Sequence, residues 1–182
     1  MNIDTAKILD SNESDFDYKD DTLIVSTTCG TMWGKGNTCS NLFIFPLQLK
    51  EASVELSLDL YPQFNGEQAG IVLFIDSDNY IKFIREMVGD KQVVVLAKEI
   101  DGEASPELIT PFEPSDTNLQ LDIRNDSITV QWKSHEENEF QKSEFPNWFE
   151  ADSKFQVGLL VHGNNPLNQA KFYSLKIDGQ AQ

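Results

Sequence analysis

AGIVLFIDSDNYIKFIRE, residues 69–86, reads as two strands joined by a polar turn. Residues 71–75 form a continuous apolar run, the pattern of a strand covered on both faces. Asp76, Ser77, Asp78 and Asn79 are turn formers, because their short side chains bond nearby backbone and tolerate unusual φ. From Tyr80 the chain alternates. Tyr80, Lys82, Ile84 and Glu86 point one way and Ile81, Phe83, Arg85 and Met87 the other, so one face is expected to be apolar and the other to carry polar chemistry.

The same grammar extends outward. Residues 53–61 (SVELSLDLY) alternate throughout, with Val54, Leu56, Leu58 and Leu60 inward. Gly89-Asp90 and Asp101-Gly102 are hairpin signals flanking the Val-rich residues 92–99. Residues 22–28, 119–124, 127–133, 155–161 and 170–178 read as further strands, and 107–110 as a short one. Residues 145–149, aromatic and broken by Pro146, are expected to make one short helical turn, and 162–168 a loop. Residues 1–21 read as an acidic lead-in or short edge strand. Short strands at this spacing, with no long amphipathic helix, predict an all-β, antiparallel two-sheet β-sandwich of jelly-roll type, one domain over residues 1–182.

Composition narrows the partners. With 30 acidic against 14 basic residues the formal net charge is −16, and such a surface repels nucleic acid and anionic membranes. No apolar run approaches the roughly 20 residues of a membrane-spanning helix. The N-terminus lacks the basic and apolar regions of a secretory signal, which leads to a cytoplasmic expectation. In that compartment Cys29 and Cys39 are expected to be reduced thiols; in an exported protein they would close a short loop around Trp33.

Several pieces in order resemble a known group: Gly30-Thr-Met-Trp33; Gln68-Ala-Gly-Ile-Val-Leu; Asn79-Tyr-Ile-Lys82 followed by Glu86; 119–124, a turn, then 127–132; and Val157-Gly-Leu-Leu with a later Phe172-Tyr-Ser-Leu-Lys-Ile. Together they resemble the concanavalin A-like lectin/glucanase jelly roll. More narrowly they resemble its "regulation of enolase" group and the accessory β-sandwich at the C-terminus of bacterial β-xylosidases. The chain departs from the enolase-regulator group in lacking a Ser-Asp-Trp-Ser stretch after the Val-rich strand, and in carrying Arg85 where an apolar residue is usual. The resemblance implies a concanavalin A-like fold and carbohydrate contact on its concave face.

The residues then propose a site. Gly34 and Gly36 leave the Trp33 ring open for stacking on a sugar; the alternative is a plug beneath the loop. Tyr80, Lys82 and Glu86 share one strand face and suit hydroxyl recognition, or else form a salt-bridge ladder. His162 ends an apolar strand at a loop mouth. Arg85, on the apolar side, needs a carboxylate partner or a rim position. Retaining glycoside hydrolysis needs two carboxylates about 5 Å apart. The nearest candidates, Glu55 and Asp59, stand roughly 13 Å apart along one strand at about 3.3 Å per residue. Asp76-Ser-Asp78-Asn79 offers oxygens to calcium, but the EF-hand positions for Gly and Glu hold Ile81 and Met87. Calcium held by distant loops is the remaining metal expectation; no metal ligands are assigned. The leading expectation is a non-catalytic, lectin-like domain that binds a carbohydrate or polyol through Trp33, Tyr80, Lys82, Glu86 and His162. The alternatives are a cytosolic sandwich that binds a protein partner, and a glycoside hydrolase.

Overall fold

The computed structural model describes residues 7–9, 16–28, 30–38, 41–150 and 152–181. Cys29 and Cys39 lie outside them, so the expectation about their pairing is not addressed. In chain order the strands are β1 (Lys7–Leu9), β2 (Phe16–Lys19), β3 (Thr22–Thr27), β4 (Leu42–Ile44), β5 (Leu49–Asp59), β6 (Gln68–Asp76) and β7 (Asn79–Val88), then β8 (Lys91–Ile100), β9 (Glu103–Pro111), β10 (Asp116–Ile123), β11 (Ser127–Lys133), β12 (Gln141–Pro146), β13 (Gln156–His162) and β14 (Asn165–Ala181). They form two seven-stranded sheets, ordered β1-β4-β13-β6-β7-β8-β9 and β12-β11-β10-β5-β14-β3-β2. Neighbours pair antiparallel, so the expected all-β sandwich is the observed one.

Alternation explains the second sheet. Val54, Leu56 and Leu58 of β5 are buried while Glu55, Ser57 and Asp59 face outward. Leu121 pairs with Val54 on one side and Val130 on the other, extending one apolar row across three strands. These side chains meet Ile71, Leu73, Ile81, Phe83, Val94, Leu96, Val157 and Leu159 of the first sheet in a common core. Trp132 packs edge-on against Phe83, with ring centroids 6.3 Å apart, and so belongs to that core.

The first sheet is apolar on its other face too, which is where the alternation of β7 misleads. Met32, Leu42, Ile44, Val72, Tyr80, Ile84, Val93, Val95, Ala97 and Leu160 form a second buried cluster on the side away from the sandwich core. Two glycines keep this face smooth. A Cβ at Gly70 would lie 2.4 Å from the Phe83 carbonyl oxygen, and one at Gly158 would lie 2.6 Å from Ile44 Cδ1.

Other expectations are corrected. The short helical turn expected at residues 145–149 is absent: Phe145 and Pro146 end an edge strand, Gln141–Pro146, and residues 147–149 are not helical. The expected loop at 162–168 shrinks to a turn at residues 163–164, because β14 begins at Asn165. Within the lead-in, Lys7–Leu9 and Phe16–Lys19 are edge strands. Arg85 has no carboxylate partner among the described residues, and it does not sit at a rim. It is fully buried, and its Nη1 donates to the Val93 and Phe112 carbonyls at 2.9 and 2.6 Å. Burial pulls its pKa down to about 10.

Candidate functional site

Antiparallel register decides which side chains share the outer face of the first sheet. Directly paired residues lie on the same face. Phe74, Tyr80 and Glu99 make one row across β6, β7 and β8; Val72, Lys82 and Ala97 make the next. His162, Gln68, Glu86 and Val93 make a third, starting on β13. Tyr80, Lys82, Glu86 and His162 therefore share one face, as the alternation implies. Their environment differs from the open row expected: Tyr80, Lys82 and His162 are 1%, 2% and 0% exposed, and Glu86 is half-buried.

The cover includes the segment at residues 30–38, and its attachment is chemical as well as apolar. Met32 is fully buried in the outer cluster. Burying such a side chain contributes about 1.5–3 kcal/mol. The Lys82 ammonium donates to the Met32 carbonyl at 3.0 Å and to Gln68 Oε1 at 2.8 Å, and lies 5.4 Å from the centre of the Trp33 ring. Glu99 Oε2 accepts from the Gly34 amide at 2.7 Å and from the Tyr80 hydroxyl. The Asn37 side chain donates to the Ser77 carbonyl in the β6–β7 turn. A single 3-10 turn, Gly34–Gly36, closes the tip, and the Thr38 amide donates to the Thr31 carbonyl at its base. Gly34 takes a left-handed φ of 62° there, a conformation glycine adopts without a Cβ penalty.

Held this way, the segment leaves the Trp33 indole 46% exposed above a buried polar patch. Burial holds the Lys82 ammonium below its ordinary pKa, opposed by the charges of Glu86 and Glu99. Burial raises the Glu86 carboxyl, opposed by Lys82. The patch presents an aromatic surface at its rim, a half-buried carboxyl group, and buried donors and acceptors already occupied in holding the loop.

Sequence reasoning missed Glu99 and Gln68. The signal for Glu99 was present: the Gly89-Asp90 hairpin sets the register that brings Glu99 opposite Tyr80. Gln68 is the link between the two ends of the site, bonded to Lys82 and paired in register with both Glu86 and His162.

Glu55 and Asp59 lie on the second sheet, not on this face. Glu55 is engaged by Lys176 at 3.5 Å, and Ser57 stands between the two acids and donates to Asn118. Asp76 Oδ1 accepts from the Asp78 amide at 2.8 Å and from the Asn79 side chain at 3.0 Å, an internally bonded turn. Among the described residues no group of three or more His, Cys, Asp and Glu side chains is arranged to hold a metal ion. Among them, too, no helix is long and apolar enough to cross a membrane.

Solved structures share this fold. The GH43 BlXynB protein from Bacillus licheniformis superposes with a TM-score of 0.79 at 16% identity, over 94% of this chain and 36% of that one. The chain thus spans about a third of that protein's length. A functionally unknown protein from Saccharomyces cerevisiae superposes over 100% of both chains, with a TM-score of 0.79 at 12% identity. The carbohydrate-binding module CBM66 from Bacillus subtilis aligns over 90% of this chain and 91% of its own, with a TM-score of 0.61 at 13% identity. No curated protein matches the sequence. The profile described as the beta xylosidase C-terminal concanavalin A-like domain matches residues 34–156, more than half of the chain. The chain therefore belongs to the family of β-xylosidase C-terminal concanavalin A-like domains.

Proposed function

We propose that this chain is a non-catalytic, carbohydrate-associated β-sandwich that receives a sugar or polyol against the outer face of its first sheet. The observation that carries the reading is the Trp33 indole, 46% exposed on a segment tied to the sheet at Lys82, Glu99 and Ser77. A rigid aromatic ring offers apolar area to the C–H face of a sugar at little entropic cost. On the same sheet face Glu86 supplies a half-buried carboxyl for hydroxyl groups. Tyr80, Lys82 and His162 act from behind: they shape and support this face rather than touching the ligand. Family membership and the likeness to a carbohydrate-binding module support the ligand class.

The test is a glycan array followed by calorimetry of any positive sugar. The wild-type chain is expected to bind at micromolar to millimolar concentration, and Trp33→Ala to abolish binding of a sugar held at this face while the chain stays folded, its stability lowered at most by the lost Lys82 contact of about 0.5–1 kcal/mol. A wild-type chain silent across the array would sink the proposal.

A further inference from the structure

A second cleft lies at one end of the sandwich, away from the Trp33 loop. Its volume is about 740 Å³, and Tyr61, Met87, Asp90, Lys91, Gln92, Pro111 and Glu113 line it. That volume falls in the roughly 300–1,000 Å³ range of small-molecule sites. Tyr61 also edges a smaller cleft of about 300 Å³, together with Asp59, Ser115, Leu167, Asn168, Gln169 and Lys171. The Tyr61 side chain is 57% exposed, and Phe64 on the same connection is 59% exposed. A ridge with an open aromatic side chain thus separates two depressions of mixed lining.

The ridge is rigid, and the rigidity comes from buried chemistry. Glu67 is fully buried; its Oε2 accepts from the Gln63 and Phe64 amides at 2.5 and 3.2 Å and from the Asn168 side chain at 2.9 Å. The Asn168 side chain also donates to the Tyr61 carbonyl at 3.0 Å. Asn65 Oδ1 accepts from the Gly89 amide at 2.6 Å, which ties the connection to the β7–β8 turn.

The cleft wall is equally held. Gln92 accepts from Arg85 Nη2 at 3.4 Å and donates to the Pro62 carbonyl at 3.3 Å. Behind it the Arg85 guanidinium sits 4.9 Å from the Phe112 ring and bonds the Val93 and Phe112 carbonyls. Its Nε finds no hydrogen-bond partner among the described residues. A buried cation without a counter-ion is costly. Here it braces the wall of the larger cleft, which accounts for an arginine on an otherwise apolar strand face.

We infer that this end of the sandwich is a second binding site, for a neutral oligosaccharide lying across Tyr61 from one cleft into the other. An anionic glycan is disfavoured because Asp90 and Glu113 outnumber Lys91 in the larger cleft and the chain carries a net charge of −16, which leaves the neutral sugars. The ligand is a sugar because the linings set carboxylates, amides and lysines that suit hydroxyl groups beside Tyr61, Met87 and Pro111, which suit the apolar C–H faces of a sugar ring. It is extended because the two depressions share Tyr61. Such a ligand meets groups that are already ordered, so little side-chain entropy is lost on binding. The inference extends the carbohydrate reading to a new place and does not require the Trp33 face to bind.

The experiment is an array of neutral and acidic glycans probed with the wild-type chain, Tyr61→Ala, Trp33→Ala and the double variant, followed by amide chemical-shift mapping with a positive tetrasaccharide. The expected result is at least tenfold weaker binding in Tyr61→Ala, retained by Trp33→Ala for that glycan, with shifts at Gly89, Asp90, Lys91, Gln92 and Asn65. Binding lost in Trp33→Ala but untouched in Tyr61→Ala would overturn this site while leaving the Trp33 proposal standing. The reverse would do the opposite. Binding confined to acidic glycans, or no glycan binding by the wild-type chain, also overturns it; in the latter case the exposed Tyr61, Phe64 and Leu167 surface would have to be reassigned to a protein partner.

Discussion

Lys82→Met separates a ligand-touching lysine from one that holds the loop. The substitution keeps the aliphatic stem and removes the ammonium. Docking of residues 30–38 then loses one charge-assisted hydrogen bond, to the Met32 carbonyl, and the contact with the Trp33 ring. A hydrogen bond to a charged group contributes about 1.5–3 kcal/mol, and a partly exposed cation–π contact about 0.5–1 kcal/mol. Against this, the variant no longer desolvates an ammonium that burial already holds below its ordinary pKa. The net cost to loop docking is therefore about 1.5–3 kcal/mol, which at about 1.4 kcal/mol per tenfold raises the open population about ten- to a hundredfold. Full detachment is opposed by buried Met32 and by the Gly34–Glu99 bond, so global unfolding should move less than local opening. Lys35, exposed in the 3-10 turn, is a built-in trypsin site. When opening and closing are fast, cleavage there tracks the open population. Cleavage at Lys35 and exchange of the Gly34 amide should both accelerate by that factor. A folded Lys82→Met chain with unchanged cleavage and exchange would refute the assignment of Lys82 as the loop's anchor.

Other perturbations follow from the same contacts. Because burial raises the Glu86 carboxyl above 4.5, the folded chain binds more protons than the unfolded one between 4.5 and the folded value; stability is lost as pH rises through that window. Glu86→Gln should therefore stabilise the chain at neutral pH and flatten the slope just above pH 4.5; an unchanged urea midpoint at both pH values would contradict this. Gly70→Ala puts a Cβ 2.4 Å from the Phe83 carbonyl oxygen and should cost about 1–3 kcal/mol in urea denaturation. A neutral result would mean that β6 and β7 can part more easily than their packing implies. Glu67→Ala leaves the Gln63 and Phe64 amides and the Asn168 side chain without their shared acceptor. At about 1–3 kcal/mol for each stranded donor, the loss should be about 3 kcal/mol or more, with faster exchange at the Phe64 amide. Unchanged exchange there would show that the Tyr61–Phe64 ridge is ordered by something else.

The strands with strict alternation were legible from their side chains alone. Residues 53–61 alternate because one face meets the core and the other meets water, and β5 does just that. The apolar run at 71–75 was legible as a strand buried on both sides, and Ile71, Val72 and Leu73 are fully buried. β7 was harder. Tyr80 and Lys82 are polar-tipped, so alternation placed them toward solvent, but their polar atoms are satisfied by groups far away in sequence. The hairpin at Gly89-Asp90 could have placed Glu99 opposite Tyr80, but nothing local to β7 announces that the Met32 carbonyl will accept from Lys82. β12 escaped because it is an edge strand with an exposed, mostly polar pattern, whose stability comes from pairing with β11 rather than from an apolar face. Arg85 was read as needing a carboxylate because charge was weighed without the backbone; two carbonyls and Gln92 serve instead. In the candidate site, the shared face of Tyr80, Lys82, Glu86 and His162 follows from strand period and register, whereas its covering does not.

The most direct measurement of the central claim uses the indoles as reporters. The chain has three tryptophans, and only Trp33 is exposed on the proposed face, with Trp132 in the core and Trp148 packed against Phe145. Titrating a glycan whose binding to the wild-type chain survives Tyr61→Ala should shift the Trp33 indole resonance saturably while those of Trp132 and Trp148 stay in place, and Trp33→Ala should remove the binding of that glycan. Such a Tyr61-independent glycan leaving the Trp33 resonance unmoved, or binding Trp33→Ala as tightly as the wild-type chain, would contradict the claim.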